Sequence, residues 1–195
     1  MIKRVAIFGG SFNPPHKGHG KALSTLSNLD FIDEVWVVPS EDCHYKDLTP
    51  ISLRISMLEL WVSELEEAKV LKIKVKFWSH SNPQHYSITS NLINDLEIKY
   101  PNHKFYFSVG ADQAVNIPNW LGVEPLLKRE EFFLIMSRPG HTEHDLDFPH
   151  ISIESKDGIE ISSTRIKEQI INGETSIEGI TPKVLDFIIK NGMYT

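Results

Sequence analysis

The stretch from Val5 to His19 constrains the fold more than any other part of the chain. A short apolar run, Val5-Ala6-Ile7-Phe8, gives way to Gly9-Gly10-Ser11-Phe12-Asn13-Pro14-Pro15 and then to His16-Lys17-Gly18-His19. An apolar run bounded by glycine and proline reads as a buried strand, and Lys17 to Leu29 behind it as a helix. The paired glycines let the backbone come close to a ligand. The helix start is expected to present free N–H groups and the positive end of its dipole. His16 and His19, three residues apart, project from one side of that helix. Imidazole donates a hydrogen bond to a phosphate oxygen without requiring a permanent charge, so the string points to nucleotide chemistry. Gly-Gly-Ser and Pro-Pro are also ordinary turn material, and a histidine pair at this spacing also occurs facing solvent or on adventitious zinc.

The rest of the chain repeats the strand-helix alternation. Glu34 to Val38 reads as a second strand ended by Pro39, and the helix after Pro50 carries Ile51, Ile55, Leu58, Val62 and Leu65 at spacings of four and three. Val70 to Phe77 is expected as a third strand with Trp78 closing it. Ile88, Leu92, Leu96 and Tyr100 mark a helix closed by Pro101, and Lys104 to Val109 and Glu131 to Met136 follow as strands. A last strand over His150 to Ile153 precedes two helices. The final one has Thr181 as N-cap, Pro182 at its first position, Val184, Leu185, Ile188 and Ile189 as its apolar stripe, and Gly192 past its end. Alternation of this kind argues for α/β class, a doubly wound parallel sheet with right-handed crossovers. Such sheets bind ligands at the carboxyl ends of their strands, beside the point where strand order reverses.

Composition excludes several function classes. With 195 residues, 41% of them hydrophobic, the chain reads as one domain, 1–195, in which 155–195 form a small C-terminal helical addition. The single cysteine, Cys43, excludes an intrachain disulfide framework and points to a reducing, cytoplasmic setting. No apolar run reaches the ~18 residues of a membrane span. A formal charge of −6 is unlike the broad basic face of a nucleic-acid binder, so phosphate contacts must be local. His141, His144 and His150 lack the thiol or carboxylate spacing of a structural zinc site and read as surface loop. A homo-oligomer is compatible with the sequence.

Gly10 to His19 matches, at each fixed position, the Gly-x-Phe-x-Pro-x-His-x-Gly-His signature, and so resembles the nucleotidyltransferase family best known for the nicotinate and nicotinamide mononucleotide adenylyltransferases. The resemblance extends over nearly the whole chain. Ser162-Ser163-Thr164-Arg165-Ile166-Lys167 resembles the family's Ile-Ser-Ser-Thr-x-Ile-Arg segment, with Lys167 where arginine is usual. The charge survives and the bidentate fork is lost, leaving either a different geometry or a contribution from neighbouring Arg165. Gly110-Ala111-Asp112 followed by Trp120 is similar to another family segment, and Arg138-Pro139-Gly140 to a family turn.

The resemblance implies a Rossmann-like nucleotidyltransferase fold and transfer of AMP from ATP to nicotinate mononucleotide, with nicotinamide mononucleotide as the alternative acceptor. Mg²⁺ would come with ATP and be held mainly by its phosphates. It implicates His16, His19 and Lys46 in catalysis. Gly9, Gly10, Ser11, Phe12, Arg138, Ser162, Ser163, Thr164 and Lys167 fall on the ATP and phosphate side, where the segment 155–195 completes the site. Trp120, Trp78, Asp112 and Thr89 fall on the mononucleotide side, an indole being a suitable face for a pyridine ring. Arg54 reads as a weaker phosphate contact or as a loop anchor. Tyr86-Ser87-Ile88-Thr89-Ser90-Asn91 departs from the Ser-Tyr-Thr-x-x-Thr pattern of acid-preferring bacterial members, while Tyr45-Lys46 and Phe77-Trp78-Ser79 look like the dual-specificity branch. Three other classes share some of these features: another nucleotidyltransferase acting on pantetheine phosphate or with CTP, a non-catalytic NAD-binding module, and a transfer-RNA synthetase. The last needs an RNA-reading domain for which the chain has no room.

Overall fold

The computed structural model describes residues 1–41, 48–65, 72–79, 81–82, 85–137, 146–154 and 161–194. In chain order it contains β1 (Lys3–Gly10), α1 (Lys17–Ser27), β2 (Glu34–Pro39), α2 (Ile51–Glu64), β3 (Ile73–Val75), α3 (Thr89–Lys99), β4 (His103–Gly110), α4 (Ala111–Ala114), α5 (Glu124–Leu127), β5 (Phe133–Met136), β6 (His150–Ile153), α6 (Ser163–Ile171) and α7 (Pro182–Lys190). The six strands form one sheet in the order β3-β2-β1-β4-β5-β6, and every pairing is parallel. The chain winds outward from β1 to β3 and then returns to place β4 on the other side of β1. That reversal makes the ends of β1 and β4 the place where a ligand is expected.

Side chains alternate across the sheet, and each face has its own core. Ala6 and Phe8 of β1 and Val35 and Val37 of β2 pack with Leu23 and Leu26 of α1, Met57, Leu58 and Trp61 of α2, Ile166 of α6, and Val184 and Ile188 of α7. Val5 and Ile7 point the other way, with Trp36, Phe105 and Phe107, onto Leu92, Ile93 and Leu96 of α3 and the short helices α4 and α5. Strands covered on both faces carry little polar alternation, and β2 is buried along its full length. No helix among the described residues is long and apolar enough to cross a membrane.

Three expectations change. The third strand covers only Ile73–Val75, while Val70 and Leu71 lie outside the described residues. Its ladder stops because the Lys76 N–H bonds the Val37 carbonyl and the next position of β2, Pro39, has no N–H to extend the pairing. Trp78 therefore lies beyond the strand. The fifth strand starts at Phe133, not Glu131, whose φ of +55° belongs to a turn. Thr181 does stand at the N-cap of α7, but its side chain makes no capping bond.

At the end of the sheet remote from the loops that follow the strands, Glu34 ties three strands. It accepts hydrogen bonds from Lys3 Nζ at 2.7 Å, from Trp36 Nε1 at 2.7 Å and from Lys74 Nζ. Burial opposes its ionisation, but these three donors outweigh burial and bring the carboxyl down to about 2 from an ordinary 4.5. A lowered folded-state pKa adds stability that is complete above the unfolded value and disappears as pH falls through the folded one. Glu34→Gln should therefore cost about 2 kcal/mol at neutral pH, and the deficit should shrink between pH 4.5 and about 2. Urea unfolding of both proteins across that range checks it, and a deficit independent of pH would contradict it.

Candidate active site

At the end of β1 the chain turns back on itself. Phe12 adopts φ +46° and buries its ring at 1% exposure, 5.5 Å from the Phe8 ring and 4.9 Å from that of His19. The turn leaves no room for larger residues around it. A Cβ at Gly10 would lie 3.1 Å from the Phe12 ring, and one at Gly18 would lie 3.0 Å from the His16 ring.

His16 is the N-cap of α1 and 7% exposed. Its ring stacks on that of His19, with centroids 3.7 Å apart and planes 25° apart. The His16 N–H donates to His19 Nδ1 at 3.2 Å. That bond makes Nδ1 the acceptor, so a neutral His19 ring carries its proton on Nε2. Phe8, Phe12 and Trp61 surround the same ring edge-on, Phe8 and Trp61 each at 6.2 Å.

The expectation of a wholly free helix start is corrected. The Lys17 N–H at the head of α1 donates to the Gly179 carbonyl at 2.7 Å. The start of α6 is less occupied. There Ser162 caps the helix by accepting from the Arg165 N–H at 3.2 Å. The Ser163 and Thr164 N–H groups remain unpaired among the described residues. The Ser163 hydroxyl donates to the Pro14 carbonyl at 2.9 Å, which fixes this helix start against the histidine loop. Lys167, one turn further on, is half-buried, and Arg165 is exposed.

Arg54 is the residue whose importance the sequence understated. It is 1% exposed. Its Nε donates to the Thr49 carbonyl at 2.8 Å, Nη1 to those of Ser11 at 3.0 Å and Ser40 at 2.7 Å, and Nη2 to that of Glu41 at 3.0 Å. The guanidinium thus joins the loop after β1 to the loop after β2. The Ser40 N–H adds a bond to the Gly10 carbonyl at 2.9 Å. Four backbone carbonyls satisfied by one side chain make it a structural anchor, so of the two readings the anchor holds.

On the other face, Trp120 ends a 3₁₀ turn over Ile117–Asn119 and meets the Phe107 ring edge-on at 6.0 Å. Gly122, at φ +66°, brings this turn against α3, where a Cβ would lie 3.0 Å from Ser90 Oγ. The turn that carries Trp120 is thereby set against the start of α3, whose first residue is Thr89. A 3₁₀ turn over His85–Ser87 is pinned to α3 by the 3.1 Å pair of His85 Nε2 with Asp95 Oδ2. Burial, followed by the Asp95 contact, raises the pKa of Tyr86 beside it. Asp112 is half-buried in the first turn of α4, directly after β4. Trp78 leans on Trp36 at 5.7 Å, against β2.

The sequence-predicted residues therefore gather at the carboxyl end of the sheet in two groups. Gly10, Ser11, Phe12, His16, His19, Ser162, Ser163, Thr164 and Lys167 belong to the side of α1 and α6, while Asp112, Trp120, Thr89 and Trp78 belong to the side of α3, toward which Gly9 also faces, against Phe107. Lys46, Arg138, Cys43, His141 and His144 lie outside the described residues. His150 stands at the opposite end of β6, with its Nδ1 2.8 Å from the Phe148 carbonyl.

A twisted parallel sheet with a histidine pair at the switch point and a hydroxyl-rich helix start facing it defines an α/β nucleotide-binding enzyme class. The cytidylyltransferase-like family model matches residues 7–169. A Bacillus licheniformis protein named as a probable nicotinate-nucleotide adenylyltransferase is 31% identical over 200 residues, covering 99% of both chains. The solved Plasmodium falciparum nicotinic acid mononucleotide adenylyltransferase complexed with NaAD superposes with a TM-score of 0.84 at 29% identity, covering 98% of this chain and 97% of that one. The same protein complexed with APC gives 0.82. The chain belongs to the nicotinate-nucleotide adenylyltransferase family of cytidylyltransferase-like nucleotidyltransferases.

Removing the Arg54 guanidinium should loosen both loops at once. Arg54→Met is expected to lose about 2–4 kcal/mol of stability, since several charge-assisted bonds go together, and to lose transferase activity even at temperatures where it stays folded. Denaturant titration and turnover of the folded variant check this; a stable variant of normal activity would show the two loops to be held otherwise.

Proposed function

We infer that this protein transfers the adenylyl group of ATP to nicotinate mononucleotide, releasing pyrophosphate and forming the deamido form of NAD. The observation that carries the reading is the stacked pair at the head of α1, in which the His16 N–H holds His19 Nδ1 and leaves Nε2 as donor. Opposite it stands a second donor set from the start of α6. The names of the relatives and the dinucleotide in the Plasmodium complex support the choice of acceptor.

In the reaction, a phosphate oxygen of the mononucleotide attacks the α-phosphorus of ATP. The bond from that phosphorus to the β-bridging oxygen breaks, and pyrophosphate leaves with the electron pair. The nucleophile is already anionic, so no side chain needs to take its proton. Rate enhancement then comes from holding two anions in line and neutralising the charge that grows on the leaving group. His19 and His16 are assigned to the phosphates, as is Lys46. Gly9 to Phe12 are assigned to the backbone approach to the nucleotide, and Ser162, Ser163, Thr164, Lys167 and Arg138 to the triphosphate. The segment 161–194 contributes the ATP side as part of one domain. Magnesium enters as part of the substrate, MgATP. Trp120 is read as the platform for the pyridine ring, with Asp112 and Thr89 beside it and Trp78 across β1.

Pyrophosphate release from ATP in the presence of nicotinate mononucleotide, in competition with nicotinamide mononucleotide, tests the reading directly; release that requires neither acceptor would overturn it. His19→Ala should lower kcat about 10²-fold, the cost of one donor to the developing charge, and near-normal turnover would remove His19 from that role. Trp120→Ala should raise KM for the mononucleotide strongly and leave KM for ATP within about 3-fold, because only the ring platform is lost. Equal loss for both substrates together with stability would make Trp120 a core residue.

A further inference from the structure

Tyr194 follows α7, yet its hydroxyl donates to Oδ1 of Asn13 at 2.5 Å, across 181 residues of sequence and into the histidine loop. Asn13 is 2% exposed, and its Nδ2 is buried with no hydrogen-bond partner among the described residues. The tyrosine hydroxyl is thus what orients the Asn13 amide. Thr49 and the Arg54 charge both act on the same hydroxyl electrostatically. The ring of Tyr194 in turn lies 5.2 Å under Lys167 Nζ. One side chain therefore touches both the loop of His16 and His19 and the cation of α6.

The backbone agrees. Tyr194 sits at φ +65°, a left-handed conformation that bulky residues occupy only where the surroundings over-determine it. Burial, opposed by Thr49 and Arg54, pushes its hydroxyl up to about 12, so it remains a donor throughout the pH range in which nucleotides are bound as anions.

We propose that Tyr194 is a positioning residue of adenylyl transfer: its hydroxyl seats the histidine loop through Asn13 while its ring holds the Lys167 ammonium, so that the two halves of the triphosphate site keep one spacing. The inference rests on the reading given under Proposed function. In-line transfer is sensitive to displacements of about 1 Å, and the Ser163 bond to Pro14 fixes only the start of α6, one turn before Lys167.

Two variants separate the two contacts. Tyr194→Phe keeps the ring and loses the hydroxyl; at temperatures well below its Tm it should lower kcat about 5-fold, the order of one hydrogen bond, with KM for ATP within about 2-fold. Tyr194→Leu loses the ring as well and should also raise KM for ATP about 3- to 30-fold, the span of a cation–π contact. In Tyr194→Leu/Lys167→Met the increase in KM should be no larger than in Lys167→Met alone, because the ring acts through that ammonium. Wild-type kinetic constants in both single variants, or multiplied effects in the double variant, would reduce Tyr194 to a packing residue, whatever happens to Tm. Calorimetric titration with a non-hydrolysable ATP analogue keeps this test apart from the acceptor assignment. If the wild type binds the analogue but makes no product with nicotinate mononucleotide, the functional reading fails, and analogue affinity in the Leu variant still decides the role of the ring. If the wild type does not bind the analogue, both readings fall.

Discussion

The buried guanidinium of Arg54 is the interaction on which the site depends. A doubly wound sheet delivers loops to its carboxyl end but does not by itself fix them relative to one another. Here the carbonyls of Ser11, Ser40, Glu41 and Thr49 all accept from one side chain that α2 carries into the interior. A charge buried at 1% exposure is tolerated because those carbonyl dipoles replace its water. The cost of burying it is recovered as rigidity in the loop after β1, and that loop positions the histidines. Ser163 on Pro14 and Lys17 on Gly179 close the same loop from the side of α6 and α7.

A chain of net charge −6 that handles a polyphosphate must do so with local donors. The donors proposed for it among the described residues are mostly neutral: an imidazole N–H set by its tautomer, hydroxyls, and the N–H groups at the head of α6. Neutral donors aimed at a fixed point cost little to bury, and they strengthen as charge develops in a water-poor site. The aromatic box of Phe8, Phe12 and Trp61 around His19 contributes by excluding water and by holding the ring plane.

Much of the fold was legible in sequence because it is local. The β1 turn and α1, the buried β2, and α7 with Pro182 at its start and Gly192 past its end follow from periodicity and from residues with fixed backbone preferences. The two donor clusters were legible through motifs. What was not legible depends on long-range partners. The end of β3 is decided by Pro39 on another strand, and the paired state of Lys17 by Gly179. Arg54 and Tyr194 act through bonds that span up to 43 and 181 residues, which no period encodes. Asn13 lay within the recognised motif, but its partner carried no signal. The short helices α4 and α5 escaped because four residues are too few to show a period.

If the residues around the histidine pair only gather and neutralise two anions, no atom of the protein is ever bonded to the adenylyl group. ATP made chiral at its α-phosphorus by sulfur substitution tests this most directly. A single in-line displacement by the mononucleotide must deliver dinucleotide with inverted configuration at that phosphorus. Retention would mean two displacements through a covalently adenylylated side chain, and would contradict a site built for positioning and charge alone.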